Sequence, residues 1–292
     1  MLDFRMATFL AVCTTQNYTR AAEKIGITQP AVTQHMHYLE KYYGAKLFRL
    51  NGKKVELTAA GELLKAATEA FSNDEKQLRQ QMQKKAEQEL PLCIGATVTI
   101  GEFVLAPLLA RYERQHPRQT IKVTVANTTE LLNKLQEGSI QLALVEGYFD
   151  KSAYGSRLYR TERFIPVAAA AHHFAKEPKT LQSLQAERLL LREMGSGTRE
   201  IFTRSLAAAN YRLEDFASYT EVNSINTILQ LVLEDAGITF LYEAAVKKEM
   251  AAGLLQEIPL SDYRIFHDFT FLWDKNSIYA PRYEQICEEL GK

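Results

Sequence analysis

"ITQPAVTQHMHYLE", residues 27–40, opens with Thr and Pro and carries apolar side chains at helical spacing among uncharged polar ones. Thr28 is placed to cap a helix, Pro30 is tolerated in its first turn, and Val32, Met36 and Leu39 form the buried stripe. The outer face, towards the N-terminal half, then carries Thr28, Gln29, Thr33 and Gln34. Gln can present a donor and an acceptor together to an adenine edge, and Thr reaches several bases, so this is the composition of a helix laid in a DNA major groove. His35 and His37 on the same helix read as ordinary polar or phosphate-proximal residues.

The flanks agree. Upstream, Thr19 can cap "RAAEKIG", with Ala21, Ala22 and Ile25 facing inward and Gly26 ending the helix in a left-handed residue. Before that, residues 3–15 put Met6, Phe9, Leu10 and Cys13 on one helical face. Two helices joined by a short Gly-containing turn make a helix-turn-helix. Downstream, "RLNGKKVELT" places two short apolar stretches around Asn51-Gly52, a hairpin signal with Lys53 and Lys54 at its tip, and reads as a basic wing.

The formal net charge of the 292-residue chain is zero, but residues 1–58 hold 8 Lys/Arg against 4 Asp/Glu. Arg20, Lys24, Arg49, Lys53 and Lys54 are spread as phosphate contacts require. Residues 59–89 follow as a long helix, with Leu64, Phe71 and Leu78 every seventh residue and Met82 beyond, the spacing of a helix that pairs with its own copy. Pro91 marks the next boundary.

Beyond it strands and helices alternate, which predicts a mostly parallel sheet covered on both faces. The rhythm restarts near residue 164, giving two α/β lobes: lobe I over about 91–161 and 266–292, lobe II over about 162–265, with a ligand cleft between them. In "IGATVTIGEFVLAPLL" Thr97 and Thr99 stand at the end of the first strand before a helix. In "MGSGTREIF" Ser196, Gly197, Thr198 and Arg199 open another helix. Hydroxyls and free backbone N–H groups at helix starts favour a small anion, although each Ser or Thr on its own could simply cap its helix.

Hydrophobic residues make up 46% and charged residues 24%, the balance of a folded globular protein. No apolar run approaches about 18 residues, and the N-terminus carries Asp3 and Arg5 where a signal peptide would be apolar, so the expected location is the cytoplasm. Cys13, Cys93 and Cys287 are far apart and without metal-ligand spacing; they read as buried free thiols, with no metal and no cofactor expected. Catalysis is not expected either: Ser196 lacks the GxSxG elbow and "GSGT" lacks the P-loop Lys.

"YTRAAEKIGITQPAVTQHMHYLEKYYGAKLF" followed by "GKKVELTAAG" resembles the winged helix-turn-helix of LysR-type transcriptional regulators, and the resemblance extends over the whole chain. It implies base and phosphate contacts at Thr28, Gln29, Pro30, Thr33 and Gln34, with Ala21-Ala22 as packing. "IGATVTIGEFVLAPLL", "NTTELLNKLQEGSIQLALVEG" and "LREMGSGTRE" resemble the branch containing CbbR- and CysL-like regulators of carbon fixation and sulfur assimilation. The implied effector domain has the two-lobed fold of periplasmic binding proteins, with effector contacts at Thr97, Thr99, Thr128, Gly147, Ser196, Thr198 and Arg199. The implied partners are double-stranded promoter DNA, a second copy or a tetramer of the chain, and RNA polymerase, with no membrane. Two departures stand out: Arg49 is followed by Leu50, so minor-groove contact by the wing would fall to Arg49, and Asp235 stands near a position that is often Gly. The other reading left open is a small-molecule-binding protein whose N-terminal domain has a non-regulatory role.

Overall fold

The computed structural model describes residues 3–51, 54–83 and 90–292; Lys53 lies outside them, and of Lys54 the backbone is described. The chain forms two compact units. One comprises Met1–Leu90 with Gln136–Ser139 and Asp274–Arg282, the other Pro91–Leu135, Ile140–Trp273 and Tyr283–Lys292. Among the described residues no helix is long and apolar enough to cross a membrane.

In the first unit α1 (Phe4–Thr15), α2 (Tyr18–Ile25) and α3 (Gln29–Tyr43) pack around Phe9, Val12, Ala21, Ala22, Val32, Met36 and Leu39. The expected inner face of α1 is rotated slightly: Val12 is fully buried, whereas Leu10 and Cys13 pack at the margin. The α2 cap is also corrected. Asn17, not Thr19, precedes the helix, and its side chain accepts from the Thr19 and Arg20 backbone N–H groups. Asn in extended backbone is a strong cap, and it lets the helix start earlier than a Thr19 cap would allow. Gly26 ends α2 at φ +71°, as expected, and Thr28 caps α3 by accepting from Ala31 N. The wing is an antiparallel pair, β1 (Phe48–Asn51) and β2 (Lys54–Leu57), with Asn51 opposite Lys54.

The long helix α4 (Ala59–Gln83) begins where Gly61 touches the wing: a Cβ there would meet the Leu47 carbonyl oxygen at 2.2 Å. That close approach sets the helix phase, and it removes Leu64 from the expected pairing seam, because Leu64 packs against the winged-domain core. Leu63, Phe71, Leu78 and Met82 are the exposed large apolar residues of α4. Further along, buried Asp74 accepts from Ser277 Oγ at 2.6 Å and from Ile278 N at 2.9 Å, and Asn73 donates to the Gln136 carbonyl at 2.7 Å. These bonds are why residues 136–139 and 274–282 belong with this unit.

The second unit is built on a sheet of nine strands among the described residues, with eight in the order β4-β3-β5-β11-β6-β9-β7-β8 and β10 (Leu255–Glu257) paired to β6. Strands β3 (Leu92–Ala96), β4 (Ile121–Val125) and β5 (Leu142–Val145) run parallel at one end, and β7 (Arg188–Arg192), β8 (Ser218–Val222) and β9 (Ile238–Tyr242) run parallel at the other. Between them β6 (Gly155–Ala169) and β11 (Ile265–Trp273) pair antiparallel, one strand leading out of lobe I and one leading back. The lobe limits expected near 161 and 266 fall inside β6 and at the start of β11. β5 and β9 are buried along their whole length, the mark of strands covered on both faces. Helices α5 (Val98–Phe103), α6 (Leu105–Gln115), α7 (Thr128–Gln136), α8 (Gly197–Ala208), α9 (Ile225–Leu233), α10 (Glu243–Ala251) and α11 (Ala280–Gly291) complete the lobes.

Asp235 sits in left-handed backbone at φ 57°, which accounts for the glycine preference at that position. Asp tolerates this region better than most residues, and here its carboxylate pairs with His172. Of the cysteines, Cys287 is buried and Cys13 and Cys93 are half-buried, all free. Burial pushes the Cys13 thiol up to about 12, so it is an unreactive thiol rather than a nucleophile.

Candidate functional site

On the winged unit, Arg20, Thr28, Gln29, Pro30 and Gln34 are exposed and Thr33 is half-buried. The Gln29 amide donates to Thr33 Oγ1 at 2.9 Å, and Thr33 Oγ1 donates to the Gln29 carbonyl at 3.3 Å. Gln29 is thereby held along the exposed surface of the helix. Arg49 extends from β1, 69% exposed, with its guanidinium 3.3 Å from the Glu56 carboxylate across the hairpin. A solvent-exposed pair of this kind is weak, so phosphate can displace Glu56. His35 differs from its expected place. Its Nδ1 lies 2.9 Å from Thr8 Oγ1 and its ring meets Phe4 edge-on at 5.0 Å, so it pins α3 to α1.

Within the second unit, Thr128 and Gly147 of lobe I come against Gly197 at the start of α8 in lobe II, and Thr99 lies by Glu146. Thr97 precedes α5 and Thr99 lies in its first turn; both are buried, Thr99 interacts with the Glu146 carboxyl, and the Thr97 hydroxyl has no hydrogen-bond partner. The caps explain why. Thr97 and Ser196 hold the positions before α5 and α8, yet neither side chain bonds its own helix, and α7 is capped by Asn127, which accepts from Glu130 N at 2.9 Å and leaves the Thr128 hydroxyl unpartnered. Ser196 and Thr198 are buried at the start of α8.

Gly147 brings the lobes together. A Cβ on Gly147 would lie 2.1 Å from Thr128 Oγ1, and one on Gly197 would lie 3.9 Å from the Gly147 Cα. Glycine is required at 147, where it lies against Thr128 within lobe I, whereas Gly197 of lobe II meets Gly147 at ordinary contact distance. On another side of the cleft Asn226 of α9 donates to Glu102 of α5 at 2.9 Å, and Val98 and Phe103 pack against the lobe II core. Arg199 is turned aside: its guanidinium donates to the Arg192 carbonyl at 3.0 Å and pairs with Glu221.

Three residues of this cleft lie outside the sequence expectations. Glu146, at the end of β5, is 3% exposed, and its Oε2 has no partner. Burial pushes its carboxyl up to about 7, against the opposing pull of its backbone, Thr99 and Arg192. Arg192, at the end of β7, is buried and donates from Nε and Nη2 to Glu193 at 2.8 and 3.0 Å. Tyr242, at the end of β9, has a buried hydroxyl without a partner, and its pKa is driven well up by burial and then by Glu146. The signal is present in the sequence: "LALVEG" and "RLLLRE" each end an apolar strand on a charged side chain, which must lie at a strand terminus facing something polar.

Residues 85–292 match the LysR substrate binding domain, and residues 5–62 match the bacterial regulatory helix-turn-helix protein of the lysR family. The chain is 25% identical to the HTH-type transcriptional regulator CysL of Bacillus subtilis over 275 residues, covering 91% of this chain and 89% of that one. It is 27% identical to the HTH-type transcriptional activator CmpR of a Synechocystis species over 278 residues, 92% and 88% of the two chains. Among solved structures, a full-length OxyR variant from Pseudomonas aeruginosa superposes with a TM-score of 0.59 at 23% identity, covering 98% of this chain and 96% of that one, a likeness of fold.

Proposed function

This chain belongs to the LysR family of transcriptional regulators, with a helix-turn-helix DNA-binding domain and an effector-binding domain, and from that membership we propose how it works. Two copies pair through the exposed apolar face of α4 and read an inverted repeat in promoter DNA, α3 facing the bases and Arg20 and Arg49 the phosphates. A small anion held between the lobes of the effector domain biases the arrangement of the paired DNA-binding domains. The protein acts in the cytoplasm, on RNA polymerase at the promoter, and performs no catalysis.

The observation that carries this reading is the set of hydroxyls in the cleft. Thr97 and Thr128 keep buried hydroxyls unpartnered while their helices are capped by other groups or not at all. A buried hydroxyl without a partner costs about 1–3 kcal/mol, and a bound oxygen-rich ligand recovers it. Because regulation is a coupling free energy between two sites, ligand and DNA must change each other's affinity by the same factor.

The test is a footprint of the purified protein on the DNA upstream of its own gene, repeated with a panel of small anions. Protection of an inverted repeat that shifts with one anion is the expected result. Absence of any protected site, with folded protein, would instead support a ligand-binding protein whose N-terminal domain has another role.

A further inference from the structure

The cleft poses an electrostatic problem for an anion. Its buried guanidinium, Arg192, already spends Nε and Nη2 on Glu193, and Arg199 is occupied by Glu221. Facing Arg192 stands Glu146, 3% exposed, with one carboxyl oxygen unpartnered. The other side chains around it are hydroxyls: Thr99 from α5, which interacts with the Glu146 carboxyl, and Tyr242 from β9, without a hydrogen-bond partner of its own. β3 and β11, the strands beside β5, present Ala96 and Thr270 at this end. The further charges are mostly acidic: Glu102 beside Arg192, and, near Tyr242, Glu162, which is paired with Arg160 at 2.6 Å. An ionised Glu146 would leave the cleft with more negative than positive charge and would repel an anion at short range.

A protonated Glu146 reverses this, because a carboxylic acid donates one hydrogen bond where a carboxylate can only accept. We infer that the cleft binds a small oxoanion together with one proton, held between the Glu146 carboxyl and a ligand oxygen, so that effector binding is linked to pH. This rests on the reading of the cleft as an anion site. No bond is made or broken beyond the O–H: the proton comes from solvent, and the neutral acid donates to the anion while the hydroxyls supply the remaining donors.

The linkage has a definite sign. The carboxyl is raised to about 7, so below that pH the acid is already in place, and above it each binding event must draw a proton from solution. The experiment is calorimetric titration of the full chain with sodium sulfate and sodium nitrate, neither of which changes charge between about pH 5.5 and pH 8.5. Wild-type affinity should fall up to about tenfold per pH unit above about 7, and comparison of two buffers at pH 8 should show uptake approaching one proton.

Glu146→Gln, which keeps the donor and removes the titration, should bind with a flat pH profile and no proton uptake. A flat profile in the wild type overturns the inference, as does a Glu146→Gln protein that keeps the slope. Affinity that rises with pH also overturns it, since that would mark a cationic ligand group paired with ionised Glu146. If Glu146→Gln does not fold, the wild-type proton count decides alone. Failure of both anions to bind at any pH also overturns it, whereas a footprint that shifts with some other small molecule would leave the regulator reading standing.

Discussion

Threonine does opposite work in the two halves of this molecule. At the start of α3, Thr28 caps its own helix and Thr33 shares hydrogen bonds with Gln29, all at the surface. In the interlobe cleft, Thr97 and Thr128 stand at comparable helix starts with their hydroxyls buried and unpartnered. Exposed polar groups can exchange partners with water at little cost, so the α3 surface is stable with or without DNA. Buried hydroxyls have no such exchange, so a cleft that keeps them does so at the expense of its own stability.

The sharpest way to break this contrast is Gly147→Ala. The new Cβ would meet the Thr128 side chain within 3 Å, forcing apart the two lobe I segments that border Gly197. Anion affinity should fall by more than about 100-fold, corresponding to roughly 3 kcal/mol, while DNA retention on an operator fragment stays unchanged; loss of both would show that the two sites are not separable in this way.

Gln29→Ala should cost about 1–3 kcal/mol on the specific site and little on random DNA, measured by mobility shift on both. Equal losses would mean that Gln29 does not read bases. Thermal melting across pH tests the buried side of the contrast. A carboxyl raised from 4.5 to about 7 gives its stabilisation fully below about 4.5 and loses it as pH climbs through 7. Glu146→Gln should therefore remove a slope of up to about 1.4 kcal/mol per pH unit, with the variant the more stable form at pH 8. An unchanged slope would place the titrating group elsewhere.

Thr28→Ala should destabilise the winged unit by about 1 kcal/mol through its lost cap, with Thr28→Ser restoring most of it. The smallest effect belongs to Arg20→Ala, a uniform loss on all DNA with the salt slope shallower by about 1; a slope that does not move would take Arg20 off the phosphate surface.

What can be read in the sequence follows from periodicity and caps. The helix-turn-helix is legible because Gly26, Thr28 and Pro30 are local signals and Val32, Met36 and Leu39 repeat at helical spacing. The two-lobed sheet is legible from apolar strands alternating with helices. The heptad misplaces Leu64 because it counts residues and ignores where the helix is anchored, and Gly61 against Leu47 fixes that anchor. Asn17 and Thr19 are two acceptable caps two residues apart, and the sequence does not choose between them. In the cleft, hydroxyls at helix starts are visible in the sequence, but their freedom is not, since it depends on Asn127 taking the cap beside Thr128. Glu146, Arg192 and Tyr242 end three different strands, with β11 and β6 lying between β5 and β9 in the sheet, and no local pattern shows that they interact.

The passage between the lobes has a mechanical meaning of its own. β6 and β11 are bonded to each other along the whole of β11, with one register shift between Phe269 and Thr270. Two ropes tied together along their length turn as a single ribbon, and a ribbon leaves the lobes few independent ways to move. The amplitude of any opening is then a property of the chain rather than of the molecule that enters the cleft. Effectors of different strength would alter how often the closed form is visited and leave its geometry the same, so that a graded signal is carried by a fixed stroke.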